Sequence, residues 1–347
     1  MKFGIIGSGS WGTALAKVLT DNNNSINWWI RNEINISHLK ARHHNPQYLS
    51  SAYFDTNLLQ LTSDAAKVIT DSDCIIVVVP SAYVTDVLGG LPKDIFHLKK
   101  VISAIKGILP EQNLLLNDYL AAEFCVELKN YFTVLGPCHA EEVAAEKLSY
   151  LTFSGIDEKT AQYIASRFKT SYLNTLHNTD IYGVQFAAIL KNIYALGAGI
   201  AHGLEYGDNF LSVLIANSAD EMAGFLRKTG IQNIEVGSID HTVSFAPREK
   251  HTTNYAASVY LGDLLVTCYS LYSRNRTFGN MIGKGYSVQA AQLEMRMVAE
   301  GYNASKCMNT INKNIHADMP IAGAIYKILW EHLSPREGFL EIEKTLV

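Results

Sequence analysis

The stretch FGIIGSGSWGTALAKVL, residues 3–19, gives the first indication of the fold class. A short apolar run ends at Gly7, and a helical pattern begins at Trp11. Gly7, Gly9 and Gly12 form G-x-G-x-x-G between them: the first allows a tight turn, the second lets backbone approach a pyrophosphate, and the third lets helix pack on strand. The helix N-terminus offers N–H groups to the anion. This opening predicts a dinucleotide-binding unit.

Apolar runs of strand length recur through the first half of the chain, at residues 26–30, 74–79, 101–105, 132–135, 150–153 and 172–176. Runs that are apolar on both faces are typical of parallel strands covered by helices. A polar helix is predicted over 33–43, and after residue 181 long helical patterns dominate. We therefore predict an α/β fold, with an N-terminal Rossmann-type doubly wound sheet (1–180) followed by an all-helical C-terminal domain (181–347).

Composition excludes several classes of partner. The 347 residues include 33 acidic and 29 basic side chains, so the net charge of -4 gives no general attraction for nucleic acid or an anionic membrane. The five cysteines lack paired spacing, which favours reduced thiols in a cytoplasmic protein. The apolar stretch 184–204 contains Lys191, so it is predicted to be a buried helix rather than a membrane span.

One long segment lacks a clear pattern. Residues 231–257 show no apolar periodicity apart from a possible strand at 234–236, and they predict an irregular excursion of open role. His241 and His251 in this segment have no ligand-spaced partners, and the pair at 43–44 is typical of an exposed helix end. No metal site is predicted.

The end of the second strand bears on the choice of cofactor. Enzymes restricted to NAD usually place an acidic residue there, against the ribose. Here the strand is followed by Arg31, which can bind the 2′-phosphate of NADP or stack on adenine, and Glu33 lies close by. Both NAD and NADP therefore remain open.

Polar residues in apolar or glycine-rich settings mark the candidate chemistry. Lys106 follows one strand and the segment 136–142 follows another, at the edge where open α/β sheets bind ligands. Lys191 lies inside an apolar helix, where desolvation favours a neutral amine, so it either forms a structural pair or takes part in chemistry. The segment 273–276 carries two arginines suited to phosphate, although a solvated helix end gives the same pattern.

Together these segments resemble the NAD(P)-dependent glycerol-3-phosphate dehydrogenase family. The resemblance covers most of the chain in matching order, and its motifs are GSGSWGTALA (7–16), VVVPS (77–81), SAIKG (103–107), GPCHAEE (136–142), LKNIYALGAGIAHGLEYGDN (190–209), GDLLVTC (262–268), SRNRTFG (273–279) and AEGY (299–302).

The resemblance implies interconversion of dihydroxyacetone phosphate and sn-glycerol 3-phosphate with NAD or NADP, supplying glycerol 3-phosphate for glycerophospholipid synthesis. It makes Lys191 the proton donor and acceptor, and it makes Lys106 a catalytic residue that contacts both substrate and cofactor. Further substrate contacts would be Gly136, Cys138, Asp263, Ser273, Arg274 and Asn275. Cofactor contacts would be the three glycines of the turn, Ser10, Trp11, Arg31, Lys106, Ala140, Arg274, Val298 and Glu300.

One departure and two alternatives remain. The position of Cys138 usually holds serine or threonine, whose hydroxyl is the better donor, which puts its substrate contact in doubt. A related dehydrogenase of a β-hydroxy acid would bind a carboxylate, and the phosphate-type cluster at 273–276 argues against it. A non-catalytic dinucleotide sensor would have no need of both lysines. The subunit number is open, with a homodimer as one option.

Overall fold

The computed structural model describes residues 1–230, 257–295 and 299–347. One sheet contains eight strands: β1 (Phe3–Ile6), β2 (Ile26–Trp29), β3 (Leu59–Thr62), β4 (Cys74–Val77), β5 (Lys100–Ser103), β6 (Tyr131–Leu135), β7 (Ser149–Ser154) and β8 (Leu173–Asn178). Their order is β3-β2-β1-β4-β5-β6-β7-β8, and only β6 and β7 pair antiparallel. The first six positions have the strand order of a dinucleotide-binding fold, which confirms the Rossmann-type sheet.

Helices cover both faces of this sheet. They are α1 (Ser10–Asp21), α2 (Glu33–Arg42), α3 (Ala65–Thr70), α4 (Val84–Leu88), α5 (Leu116–Phe124), α6 (Ala140–Ala144) and α7 (Glu158–Phe168). Every residue of β1, β4 and β6 is buried, as parallel strands between two helical layers require. Three of the apolar runs found in the sequence therefore form fully buried strands inside the sheet.

The sheet differs from the prediction in two respects. The edge strand β3 was not predicted, because its four residues, LQLT, alternate in polarity and only Leu59 is buried. The strands β4 and β5 end at Val77 and Ser103, two residues before the apolar runs end. The chain leaves the sheet there to form the loops that carry candidate site residues.

Helices dominate the described chain after β8. They are α8 (Ile181–Gly203), α9 (Asp208–Lys228), a six-residue π-turn (Ala257–Gly262), α10 (Asp263–Tyr269), α11 (Arg274–Gly283), α12 (Val288–Glu294), α13 (Glu300–Ile315), α14 (Pro320–Trp330) and α15 (Pro335–Glu343). Residues 231–256 of the predicted excursion (231–257), with its possible strand and two histidines, lie outside the described residues, as does Val298.

The central helix of this part is α8. It is long and apolar enough to cross a membrane by length and composition alone, but 94% of its most apolar window is buried inside the protein. It contacts α9, α10, α11, α13 and α14. The prediction of a buried helix over 184–204 is confirmed, because the neighbouring helices supply the apolar surroundings that the sequence requires.

Glycine allows α8 and α11 to pack backbone against backbone. A Cβ added at Gly199 would lie 2.1 Å from the carbonyl oxygen of Arg276, and one at Gly279 would lie 2.1 Å from that of Leu196. Real Cβ atoms do not approach an oxygen so closely, so a larger residue at either position would force the helices apart. This packing brings the first turn of α11 beside the middle of α8.

Candidate active site

The glycine turn between β1 and α1 fits a dinucleotide. Gly7 has a φ of +131°, which a residue with a side chain rarely adopts. A Cβ at Gly12 would lie 2.4 Å from the carbonyl oxygen of Gly7, whereas a Cβ at Gly9 would meet nothing within 4 Å. The second glycine therefore borders open space, as an approaching pyrophosphate needs, and no side chain of the described residues caps α1.

The first turn of α1 lies close to the predicted catalytic residue Lys106. Ser10 and Trp11 begin this helix and are half-buried. The indole Nε1 of Trp11 is buried and has no hydrogen-bond partner among the described residues. The ammonium nitrogen of Lys106 lies 5.9 Å from the centre of the Trp11 ring. Trp11, a predicted cofactor contact, therefore lies beside a predicted catalytic lysine.

The end of β2 leaves cofactor preference open. Arg31 is exposed, while the side chain of Asn32 caps α2 by accepting from the backbone N–H of Ile34 at 2.8 Å. Glu33 accepts a hydrogen bond from the hydroxyl of Ser63. An exposed arginine and a nearby engaged carboxylate are compatible with either dinucleotide.

Lys191 lies on α8 with only 3% of its surface exposed. Its ammonium forms an ion pair with Oδ1 of Asp263 and donates to Oγ1 of Thr267 at 3.0 Å. Thr267 in turn donates to the backbone carbonyl of Asp263, one helical turn earlier, at 2.5 Å. A buried lysine thus has one charged and one neutral partner, both on α10.

The same carboxylate contacts a second lysine. Lys106 follows β5, and its ammonium donates to the carbonyl of Gly136 at 2.9 Å and lies 3.4 Å from Oδ2 of Asp263. Asp263 is 1% exposed. Both predicted catalytic lysines, one from each half of the chain, therefore share one buried carboxylate.

This arrangement sets opposing influences on Lys191. Burial lowers its pKa below the usual range because an ammonium is poorly solvated there. Asp263 opposes the shift, and the positive charge of Lys106 adds to it. The net result is a lowered pKa, which makes Lys191 able to gain and lose a proton nearer to neutral pH than an exposed lysine.

The segment after β6 lines the same region. Gly136 has a φ of +149°, and a Cβ there would lie 2.6 Å from the carbonyl oxygen of Tyr150. The thiol of Cys138 donates to that same carbonyl at 3.1 Å, and burial raises its pKa to about 11. Ala140 begins α6 and is buried. Cys138 is thus a neutral thiol already paired with backbone, which fits the doubt about its substrate contact.

The predicted phosphate cluster lies at the start of α11. Ser273 is buried and caps the helix, its oxygen accepting from the backbone N–H of Arg276 at 3.3 Å. Arg274 is exposed, whereas Asn275 is 7% exposed. The Asn275 amide donates to Oδ1 of Asn192 at 2.9 Å and accepts from the backbone N–H of Gly301 at 2.9 Å.

Glu300, a predicted cofactor contact, pairs with the loop after β4. Its carboxylate accepts from the backbone N–H of Ser81 at 3.1 Å and from the hydroxyl of Ser81 at 2.6 Å. Burial raises the pKa of Glu300, against the opposing influence of these hydrogen bonds. The contact joins α13 to the loop after β4. Gly107, the neighbour of Lys106, lies close by, since a Cβ added at Gly107 would lie 2.7 Å from the Glu300 carboxylate.

Several residues of the site have no role in the sequence-based prediction. Asn192 donates to the backbone carbonyl of Lys106 at 2.7 Å, and Thr267 contacts Lys191. Both lie within the family motifs, and Thr267 stands four residues after Asp263, the spacing of one helix face. His139 was also not predicted: burial and then Lys106 and Lys191 lower its pKa to about 4. Within the described ranges, no cluster of three or more metal-ligand side chains occurs.

Comparisons with known proteins bear on the family of the chain. Residues 2–161 match the family model described as NAD-dependent glycerol-3-phosphate dehydrogenase N-terminus, and residues 180–339 match that described as its C-terminus. A glycerol-3-phosphate dehydrogenase [NAD(P)+] of Streptococcus sanguinis is 31% identical, over 97% of this chain and 94% of the relative. That of Streptococcus equi subsp. zooepidemicus is 32% identical, over 98% and 94%.

The chain belongs to the glycerol-3-phosphate dehydrogenase family. A solved glycerol-3-phosphate dehydrogenase from Coxiella burnetii is similar to it in structure, with a TM-score of 0.82, 25% identity and 98% of each chain covered. The enzyme is an oxidoreductase that uses NAD or NADP and interconverts dihydroxyacetone phosphate and sn-glycerol 3-phosphate, the reaction of this family. The family assignment therefore argues against both alternatives, the non-catalytic dinucleotide sensor and the dehydrogenase of a β-hydroxy acid.

Proposed function

We propose that Lys191 is the proton donor and acceptor of this dehydrogenase and that Lys106 stabilises charge on the reacting oxygen. The observation that carries the proposal is the buried carboxylate of Asp263, which contacts both ammonium groups. Two cations in one partly buried site repel each other, and a shared anion offsets that repulsion. The arrangement supports one lysine that exchanges a proton and a second that stabilises developing negative charge.

The chemistry of the reductive direction follows from these charges. The nicotinamide ring, when bound, supplies the hydride to the ketone carbon. Lys191 donates its proton to the ketone oxygen, on which negative charge develops, and Lys106 stabilises that charge. In the oxidative direction Lys191 is the base, and its lowered pKa makes the neutral amine accessible. Thr267 accepts a hydrogen bond from the Lys191 ammonium and so holds its direction.

The phosphate group of the substrate is assigned to the start of α11. Arg274 offers a planar set of donors that matches phosphate oxygens. It is exposed, while its neighbour Asn275 is held by Asn192 and Gly301. The backbone of this turn is therefore fixed, and the guanidinium remains able to reach a ligand. Anchoring the phosphate holds the ketone near the two lysines.

The proposal also includes the domain boundary, the metabolic role, the cellular location and the oligomeric state predicted from the sequence. A division into a dinucleotide-binding domain (1–180) and a helical catalytic domain (181–347) is supported by the end of β8 at Asn178 and the start of α8 at Ile181. Supply of glycerol 3-phosphate for phospholipid synthesis, a cytoplasmic location and a homodimer are further predictions. Lipid labelling in a deletion strain, cell fractionation and light scattering test them in turn.

The assay that tests the proposal follows NADH oxidation with dihydroxyacetone phosphate. Lys191→Met is expected to lower kcat by at least ~10²-fold, the low end for a positioned acid or base, with dinucleotide affinity nearly unchanged. Lys17→Met is the matched control, because Lys17 is also a buried lysine with carboxylate partners, Asp21 and Glu146, but lies on α1 outside the site. Near-normal turnover of Lys191→Met contradicts the proposed role.

A further inference from the structure

A tyrosine hydroxyl connects the start of the Lys191 helix to the segment that leads into Asp263. Tyr260 lies in the π-turn before α10 and is 4% exposed. Its hydroxyl donates to Oδ2 of Asp180, the N-cap residue of α8. The other carboxylate oxygen of Asp180 accepts from the backbone N–H of Gly183 at 2.8 Å. One carboxylate therefore holds both the first turn of α8 and the π-turn.

The two segments meet again at the chemical site. Lys191 lies eleven residues after Asp180, about 16 Å along α8 at the rise of an α-helix. There it contacts Asp263 and Thr267, which follow Tyr260 by three and seven residues. A single attachment would leave α10 able to rotate against α8. Two attachments at different positions along the axis of α8 fix the rotation of α10 as well as its position.

The π-turn makes that rotation important. A π-turn holds more residues than an α-helical turn, so its register decides the direction of the side chains that follow it, and such turns recur at functional sites. The turn ends at Gly262, directly before Asp263. We propose that Tyr260 is a positioning residue whose bond to Asp180 holds this register and directs Asp263 toward both lysines. This inference rests on the proposed roles of Lys191 and Asp263.

The charged surroundings of Lys191 give the inference a specific readout. The titratable groups that influence or respond to it are Asp263, Lys106, Cys138, His139 and Cys268. Asp263 is the group among those acting on Lys191 that favours its charged form, whereas burial and Lys106 oppose it. A carboxylate that turns away therefore leaves Lys191 with a still lower pKa. In the reductive direction, activity is then lost at lower pH.

The experiment measures the pH profile of kcat for reduction of dihydroxyacetone phosphate. Tyr260→Phe is expected to move the alkaline limb about one unit lower and to reduce kcat about tenfold. KM should change less than about twofold, because the proposed phosphate anchor lies on α11. The matched control is Tyr131→Phe, which also removes a buried tyrosine hydroxyl bound to α8, at Gln185, but leaves the π-turn untouched. The alkaline limb of the kcat profile of Tyr131→Phe should stay at the pH of the native enzyme.

A second variant covers the possibility that Tyr260→Phe does not fold. Asp180→Asn keeps a capping oxygen for α8 but removes the charged acceptor of Tyr260, so its limb should move in the same direction. The double variant should show no further shift, because both changes break the same bond. A native limb in both single variants, or an equal shift in Tyr131→Phe, overturns the inference. Lys191→Met, assayed in parallel, distinguishes failure of the proposed function from failure of this inference. Near-normal turnover of Lys191→Met contradicts the proposed function. An inactive Lys191→Met together with a native alkaline limb in Tyr260→Phe contradicts only the positioning role of Tyr260.

Discussion

The side-chain nitrogen of Asn275 donates a hydrogen bond to the side-chain oxygen of Asn192 at 2.9 Å. Asn192 is the neighbour of Lys191 on α8, and its own nitrogen donates to the backbone carbonyl of Lys106 at 2.7 Å. Two buried amides therefore link the start of α11 to both lysines. Because α8 and α11 also touch through glycine, the proposed phosphate anchor and the lysines belong to one connected unit.

Arg274 tests whether that unit recognises phosphate. Arg274→Lys keeps the charge but loses the planar pair of donors, so KM for dihydroxyacetone phosphate should rise at least ~10-fold and kcat should fall. Arg227→Lys, an exposed arginine on α9, is the control and should behave as the native enzyme. Unphosphorylated dihydroxyacetone should be a very poor substrate, and Arg274→Ala should narrow the gap in kcat/KM between the two. An equal loss for both substrates would assign Arg274 to the cofactor or the fold.

Arg31 tests the choice of cofactor. It is exposed at the end of β2, where the ribose of a dinucleotide is expected. Arg31→Ala should weaken NADPH binding more than NADH binding, because only NADPH carries the 2′-phosphate. Fluorescence titration of both cofactors, without substrate, measures the two dissociation constants directly. Equal weakening would indicate stacking on adenine, since both cofactors share that ring.

The environment of Glu221 predicts that the free energy of unfolding depends on pH, independently of catalysis. This buried carboxylate on α9 accepts from the backbone N–H groups of Ile321 and Ala322 and from the hydroxyl of Tyr194. Burial raises its pKa to about 7, although the hydrogen bonds oppose the shift. A raised pKa means that the folded protein holds a proton that the unfolded chain releases. The contribution of this group to stability is therefore complete below its unfolded pKa, about 4.5, and is lost as the pH rises through about 7.

The free energy of unfolding measured in urea should reflect this loss. Between these two pKa values, Glu221 should lower it by up to about 1.4 kcal/mol for each pH unit. Glu221→Gln cannot titrate, so the native protein should lose stability relative to this variant as the pH rises. Parallel curves for the two proteins would show that the pKa of Glu221 is the same in the folded and the unfolded protein.

The sequence predicted the sheet because its signals are local. The glycine turn, the strands that are apolar on both faces and the long apolar helix can each be recognised within a few residues. The strand β3 was not predicted because an edge strand buries little and so carries little apolar pattern. The antiparallel pairing of β7 with β6 was equally hidden, since strand direction is set by the path of the chain between them.

For the active site, local sequence patterns were enough to identify candidate residues. Lysines at a strand end and inside an apolar helix, and arginines at a helix start, are evident from the local pattern of residues alone. Which of these residues contact one another became evident only from the folded chain. Asp263 joins Lys191 to Lys106, which is 85 residues earlier, and Tyr260 reaches Asp180 across 80 residues. Such pairings depend on how closely helices pack and how they are rotated, and these follow from contacts between distant segments that no local pattern records.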